Sequence, residues 1–117
     1  MKYIHVYGID GDGDAGELYG TYIEFKRITK FAVKPTKCQL IDKTKIRVEL
    51  ICDVVGGDRY VLAPYAICNS NDEVESLRCI IPYIIQTLTS HPEGTIIRCF
   101  NNGSEEWDVV NETKEGF

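Results

Sequence analysis

Residues 70 to 90, SNDEVESLRCIIPYIIQTLTS, constrain this chain more than any other stretch, because only there do a helix-start signal and sustained helical periodicity coincide. Ser70 and Glu73 have the spacing of a capping box, and Asp72, Glu73 and Glu75 put negative charge at the positive end of the helix dipole. Val74, Leu77, Ile81, Ile84, Ile85 and Leu88 recur at helical spacing, with Ile80 widening the stripe. A face of that width has to be covered. Pro82 falls on the opposite, polar side, where it predicts a bend that leaves the Arg78 carbonyl open to water.

The remainder reads as the sheet that covers this face. Lys2 to Tyr7 alternates as a half-buried strand, and residues 8 to 16, GIDGDGDAG, are glycine- and aspartate-rich and predict a loop. Strand patterns resume from 17 to 34, 38 to 41 and 45 to 55. A reversal centred on Gly57-Asp58 leads into the next strand and sets Val54 against Val61 and Leu50 against Tyr65. Pro64 in that strand argues for a sheet edge. After the helix, Asn102-Gly103 predicts a hairpin in which Arg98 faces Trp107 and Ile96 faces Val109. The fold class that follows is α+β, with a largely antiparallel sheet of about seven or eight strands and one long helix on one face. The chain is long enough for one such domain, over residues 1 to 110, with a polar tail at 111 to 117.

No apolar run reaches membrane-spanning length, and the opening MKYIHVYGID lacks the apolar stretch of a secretory signal, so a cytoplasmic location without membrane association is expected. Cys38, Cys52, Cys68, Cys79 and Cys99 are odd in number and widely spaced, which fits neither a metal knuckle nor a disulfide framework. They are expected to be reduced and mostly buried.

Candidate chemistry is sparse. Gly11, Gly13 and Gly16 imitate a dinucleotide fingerprint, but Asp10, Asp12, Asp14 and Glu17 would repel a pyrophosphate, and a strand pattern follows where a helix is required. The same four acids begin like a calcium loop and are the candidate ligands for a divalent cation; Ala15 and Thr21 break the pattern, so no cofactor is otherwise expected. Lys26, Arg27, Lys30, Lys34, Lys37, Lys43, Lys45 and Arg47 crowd one segment with only Asp42 opposing, a candidate site for a phosphate-bearing small molecule or nucleic acid, with Tyr22 and Phe31 as stacking rings. The net charge of −5 opposes polyanions at long range. His5 and His91 have no nucleophile beside them in sequence, and no serine lies in a nucleophile elbow. Ile51, Val55, Leu62 and Ala66 alternate with the face assigned to the helix and predict an apolar outer surface through which the chain self-associates. The reading that follows is a small non-catalytic binding protein, homo-oligomeric and contacting a partner protein, such as an inhibitor or adaptor; virus-encoded proteins of this kind share the profile. Its alternative is a ligand-binding protein or enzyme whose segment 26–47 holds a nucleotide-like molecule or nucleic acid.

Overall fold

The computed structural model describes residues 1–9, 21–35, 45–101 and 107–112. Strands β1 (Tyr3–His5), β2 (Gly8–Ile9), β3 (Tyr22–Glu24), β4 (Ile28–Pro35), β5 (Ile46–Val54) and β6 (Arg59–Cys68) precede helices α1 (Asn71–Leu77) and α2 (Ile80–Ser90), and β7 (Ile96–Asn101) and β8 (Trp107–Asn111) follow. The class is α+β, and the strands form two four-stranded sheets, ordered β3-β1-β7-β8 and β2-β6-β5-β4. All pairings are antiparallel except β1 with β7, which is parallel and is reached through the helical crossover. None of the described helices is long and apolar enough to cross a membrane.

Two segments belong to both sheets. The Val6 N–H donates to the Thr21 carbonyl beside β3, and the next N–H, that of Tyr7, donates to Val61 in β6. From β3 to β4 the chain passes through a 3₁₀ turn, Phe25–Arg27, pinned by the Phe25 N–H to Lys2 O and the Val55 N–H to Arg27 O. Strands that change sheets in this way make the corners of a packed pair of sheets. The pairings β1–β3, β4–β5, β5–β6 and β6–β2 then close into a circuit around the core. Ile4, Leu50, Leu62 and Ile97 from the strands and Val6 from the link between β1 and β2 meet Ile84 and Leu88 from α2 there, all essentially inaccessible to solvent. Each such side chain contributes about 1.5–3 kcal/mol through burial.

The β5–β6 hairpin departs from its predicted register. Val54 and Asp58 close the turn, with Gly56 and Gly57 at φ of 104° and 95°, and Leu50 stands opposite Ala63, where Tyr65 was expected. Strand β6 carries two extra residues: Ile51↔Val61 and Leu50↔Ala63 bracket Leu62, while Leu50↔Ala63 and Val48↔Ala66 bracket Pro64 and Tyr65 opposite Glu49. A proline that cannot donate to the ladder is tolerated at such a bulge, and the short β2 on the other side of β6 pairs only with Tyr60 and Val61, short of Pro64.

This shift overturns the expected apolar outer surface. Leu62 and Ala66 are 1% and 0% exposed in the main core, Ile51 is 3% exposed, and only Val55, at 60%, is open to solvent. Ile51 and Val61 face each other across the strand pair, buried but outside that core. The β7–β8 hairpin is shifted too: Arg98 opposes Val110 and Asn101 opposes Trp107, so Arg98 lies over Phe100, at 5.7 Å, and pairs with Glu112. Strand β8 extends through Asn111, into the stretch read as tail.

Leu62→Lys leaves a charge in the core without a partner, and urea denaturation is expected to register a loss of ~3 kcal/mol or more. Val55→Lys at the exposed turn should stay within ~0.5 kcal/mol of the parent. Equal tolerance of both substitutions would contradict the bulged register.

Candidate functional site

The helical segment is interrupted where Pro82 removes a donor. In an unbroken helix the Arg78 carbonyl would accept from the N–H of residue 82. Instead the Ile81 N–H donates to it at 3.1 Å, and Arg78 and Cys79 donate to Glu75 and Ser76, three residues back in each case. The bend is therefore a tightened 3₁₀ turn, in which the Arg78 carbonyl accepts a hydrogen bond from within the chain. The start of α1 is a capping box with a changed partner. Ser70 Oγ accepts from the Glu73 N–H at 3.3 Å, but Glu73 Oε2 accepts from the Asn69 N–H at 2.6 Å, one residue earlier than the usual pairing.

The interruption also redirects the stripe. Val74, Leu77, Ile84 and Leu88 are buried, Ile80 and Ile81 partly so, and Ile85 is exposed. Around the break, Glu73, Ser76 and Leu77 of α1, Cys79 of the turn, and Ile80 and Tyr83 of α2 face Trp107 and Asp108 of β8 across a cleft of about 430 Å³. Trp107 is nearly buried and forms a wall, whereas Tyr83 is 51% exposed at the mouth. Asp108 Oδ1 accepts from the Val109 N–H at 2.8 Å, which fixes that carboxylate at the rim. Among the described residues lining the cleft there is no Lys, Arg or His, and two carboxylates and two aromatic rings share it.

Cys79 is exposed here, while Cys52, Cys68 and Cys99 are buried, in keeping with the expectation that the cysteines are mostly buried. Burial, and then the charge of Asp53, pushes the Cys52 thiol up to about 12, and burial raises Cys99 as well. Cys38 lies outside the described residues, as do Asp10, Asp12, Asp14, Glu17, Lys37, Lys43 and the Asn102-Gly103 turn. Among the described residues no three His, Cys, Asp or Glu side chains form a metal-ligand group.

The described part of the basic segment is spread along the other sheet and interleaved with acids. Lys30 stands opposite Asp53 and Lys34 opposite Glu49, Lys26 lies 3.7 Å from Glu24, and Lys45 and Arg47 are half-buried. Arg59 grips Asp53 at 2.6 and 3.4 Å. That hydrogen bond, with the charges of Arg59, Lys30 and Lys34, holds the Asp53 carboxyl below its ordinary value of 3.8. The two expected stacking rings are occupied: Phe31 stacks on Phe25 at 6.4 Å and Tyr22 leans on His5 at 5.5 Å. None of these residues lines the cleft. Comparison with protein-family profiles, curated proteins and solved structures returns no match.

The cleft was hidden in the sequence because its walls come from residues 73–83 and 107–108. The one local signal was Pro82, four residues after Arg78, which marks a break in the ladder.

Two outcomes are expected. In a Cys38→Ser background, a thiol reagent should modify only Cys79 in the native protein, and Cys52, Cys68 and Cys99 after unfolding; rapid native reaction of several thiols would contradict the burial. A carboxyl with a lowered folded pKa stabilises above its unfolded value and loses that contribution as pH falls through the folded one. Asp53→Asn should therefore flatten the fall in stability below about pH 4, by ~1 kcal/mol or less because solvent screens the pair. Acid denaturation curves identical for parent and variant would show that the pair contributes nothing.

Proposed function

We propose that this chain is a small non-catalytic binding protein that takes a basic segment of a partner protein into the cleft between the helix break and β8, as an inhibitor or adaptor would. The observation that carries the reading is the lining itself: Glu73 and Asp108 beside Tyr83 and Trp107, with no cation among the described lining residues. Carboxylates attract an ammonium or guanidinium group, and aromatic faces hold the same group through its charge and its apolar stem. The volume lies within the ~300–1,000 Å³ usual for sites that enclose a compact ligand or an anchoring side chain. A half-exposed tyrosine at the mouth is the kind of residue that anchors protein contacts. The opposing reading, phosphate capture by segment 26–47, is weakened by the acids facing Lys30 and Lys34.

Trp107 is the chain's single tryptophan and reports directly on the cleft. Titration with short Arg- or Lys-containing peptides should change its fluorescence saturably, and acidic peptides or oligonucleotides should not. Asp108→Asn and Glu73→Gln each keep an amide oxygen as acceptor while removing the charge, and each is expected to weaken binding by about ten-fold, with the parent's affinity falling as salt rises. Oligonucleotide binding with an unchanged response in both variants would instead favour the basic segment.

A further inference from the structure

We infer that the basic segment entering the cleft is the corner between β3 and β4 of a second copy of this chain, with Arg27 as its anchor. This rests on the cleft being a site for cationic segments, as argued above, and goes on to name the occupant. Position is the first argument. The corner Phe25–Arg27 directly follows β3, and the cleft is walled by β8, and these are the two terminal strands of the same sheet. One copy thus carries the anchor and the receptor at opposite ends, an arrangement that joins molecules head to tail.

Charge is the second argument. Lys26 and Arg27 are both exposed at this corner, and Lys26 has Glu24 beside it at 3.7 Å. Lys30 and Lys34, farther along, face Asp53 and Glu49 across the strand pair, whereas Arg27 precedes that register, is exposed, and makes no ion pair among the described residues. Its planar guanidinium suits a site that combines carboxylates with aromatic faces better than a lysine would. Rigidity is the third. Hydrogen bonds from Phe25 N–H to Lys2 O at 2.8 Å and from Val55 N–H to Arg27 O at 2.9 Å fix the backbone on both sides of the corner. A segment already held in place loses little conformational freedom on docking, which favours association through even a modest contact.

Sedimentation velocity over a range of concentrations and salt tests this. The parent is expected to show a mass that rises with concentration in low salt and returns towards monomer at about 1 M salt, where the screening length falls to ~3 Å. Arg27→Ala and Asp108→Lys lie at exposed positions and should keep the parent's melting behaviour while each weakens association by about ten-fold or more. Mixed together they are diagnostic: the intact cleft of the first accepts the intact corner of the second, giving a one-to-one pair that grows no further. Three results would overturn the inference. A parent that stays monomeric in low salt yet still binds basic peptides at Trp107 removes the second copy and leaves the proposed function standing. A monomer that binds no basic peptide removes both. Oligomers indifferent to both substitutions, or a mixture no larger than its components, place the contact on another surface.

Discussion

At Val6 and Tyr7, consecutive backbone N–H groups donate to acceptors in different sheets, to Thr21 at 2.9 Å and to Val61 at 2.8 Å. The rest of the architecture depends on that divergence. Without it, residues 3–9 would lie in one sheet, and the circuit that runs through β6, β5, β4 and β3 back to β1 would stay open. Because the circuit closes, strands as short as β2 and β3 are held by covalent continuity as well as by pairing, and fewer strand edges stay open to other chains. The 3₁₀ turn at Phe25–Arg27 is the matching corner on the other long segment.

The two bulges in β6 settle which side chains the core receives. With an ideal ladder, alternation would send Leu62 and Ala63 to opposite faces; the extra residue at Leu62 lets both enter the core. The same irregularity turns the expected outer stripe inward. What remains on the far side, Ala32, Ile51 and Val61, is flanked along the strands by Lys30, Lys34, Glu49, Asp53 and Arg59 in alternating sign.

Much of the fold was legible where local chemistry alone sets the outcome. The class, the helical span, the Ser70 cap and the β5–β6 and β7–β8 hairpins follow from periodicity and turn residues that act over a few positions. Register was not legible, because a bulge is chosen by packing across the core and leaves no mark in alternation except Pro64. Nor was the division into two sheets, since a strand that crosses from one to the other has the same pattern as a strand that stays. Of the candidate residues, the exposed face of Lys26, Arg27 and Lys30 was found by counting charges, yet that Asp53 faces Lys30 and Glu49 faces Lys34 needed the pairing of β4 with β5.

Pro82 links the fold to the cleft. Were residue 82 able to donate, its N–H would take the Arg78 carbonyl, and the helix could run unbroken from Asn71 to Ser90. Cys79 and Ile80 would then continue the α-helical rotation set by α1, and Leu77 and Ile84 would keep the spacing of an uninterrupted stripe. The tightened turn changes the phase between the two segments. Val74 and Leu77 still reach the core from α1, Ile84 and Leu88 reach it from α2, and Ile85 is left outside. A straight helix lying flat on the sheet would bring no such concavity against β8, whereas a bent one leaves space at the inside of the bend that Trp107 and Asp108 only partly fill. The missing hydrogen bond that weakens the helix is thus also the reason it has a cleft, with Glu73 before the bend and Tyr83 after it on the same wall.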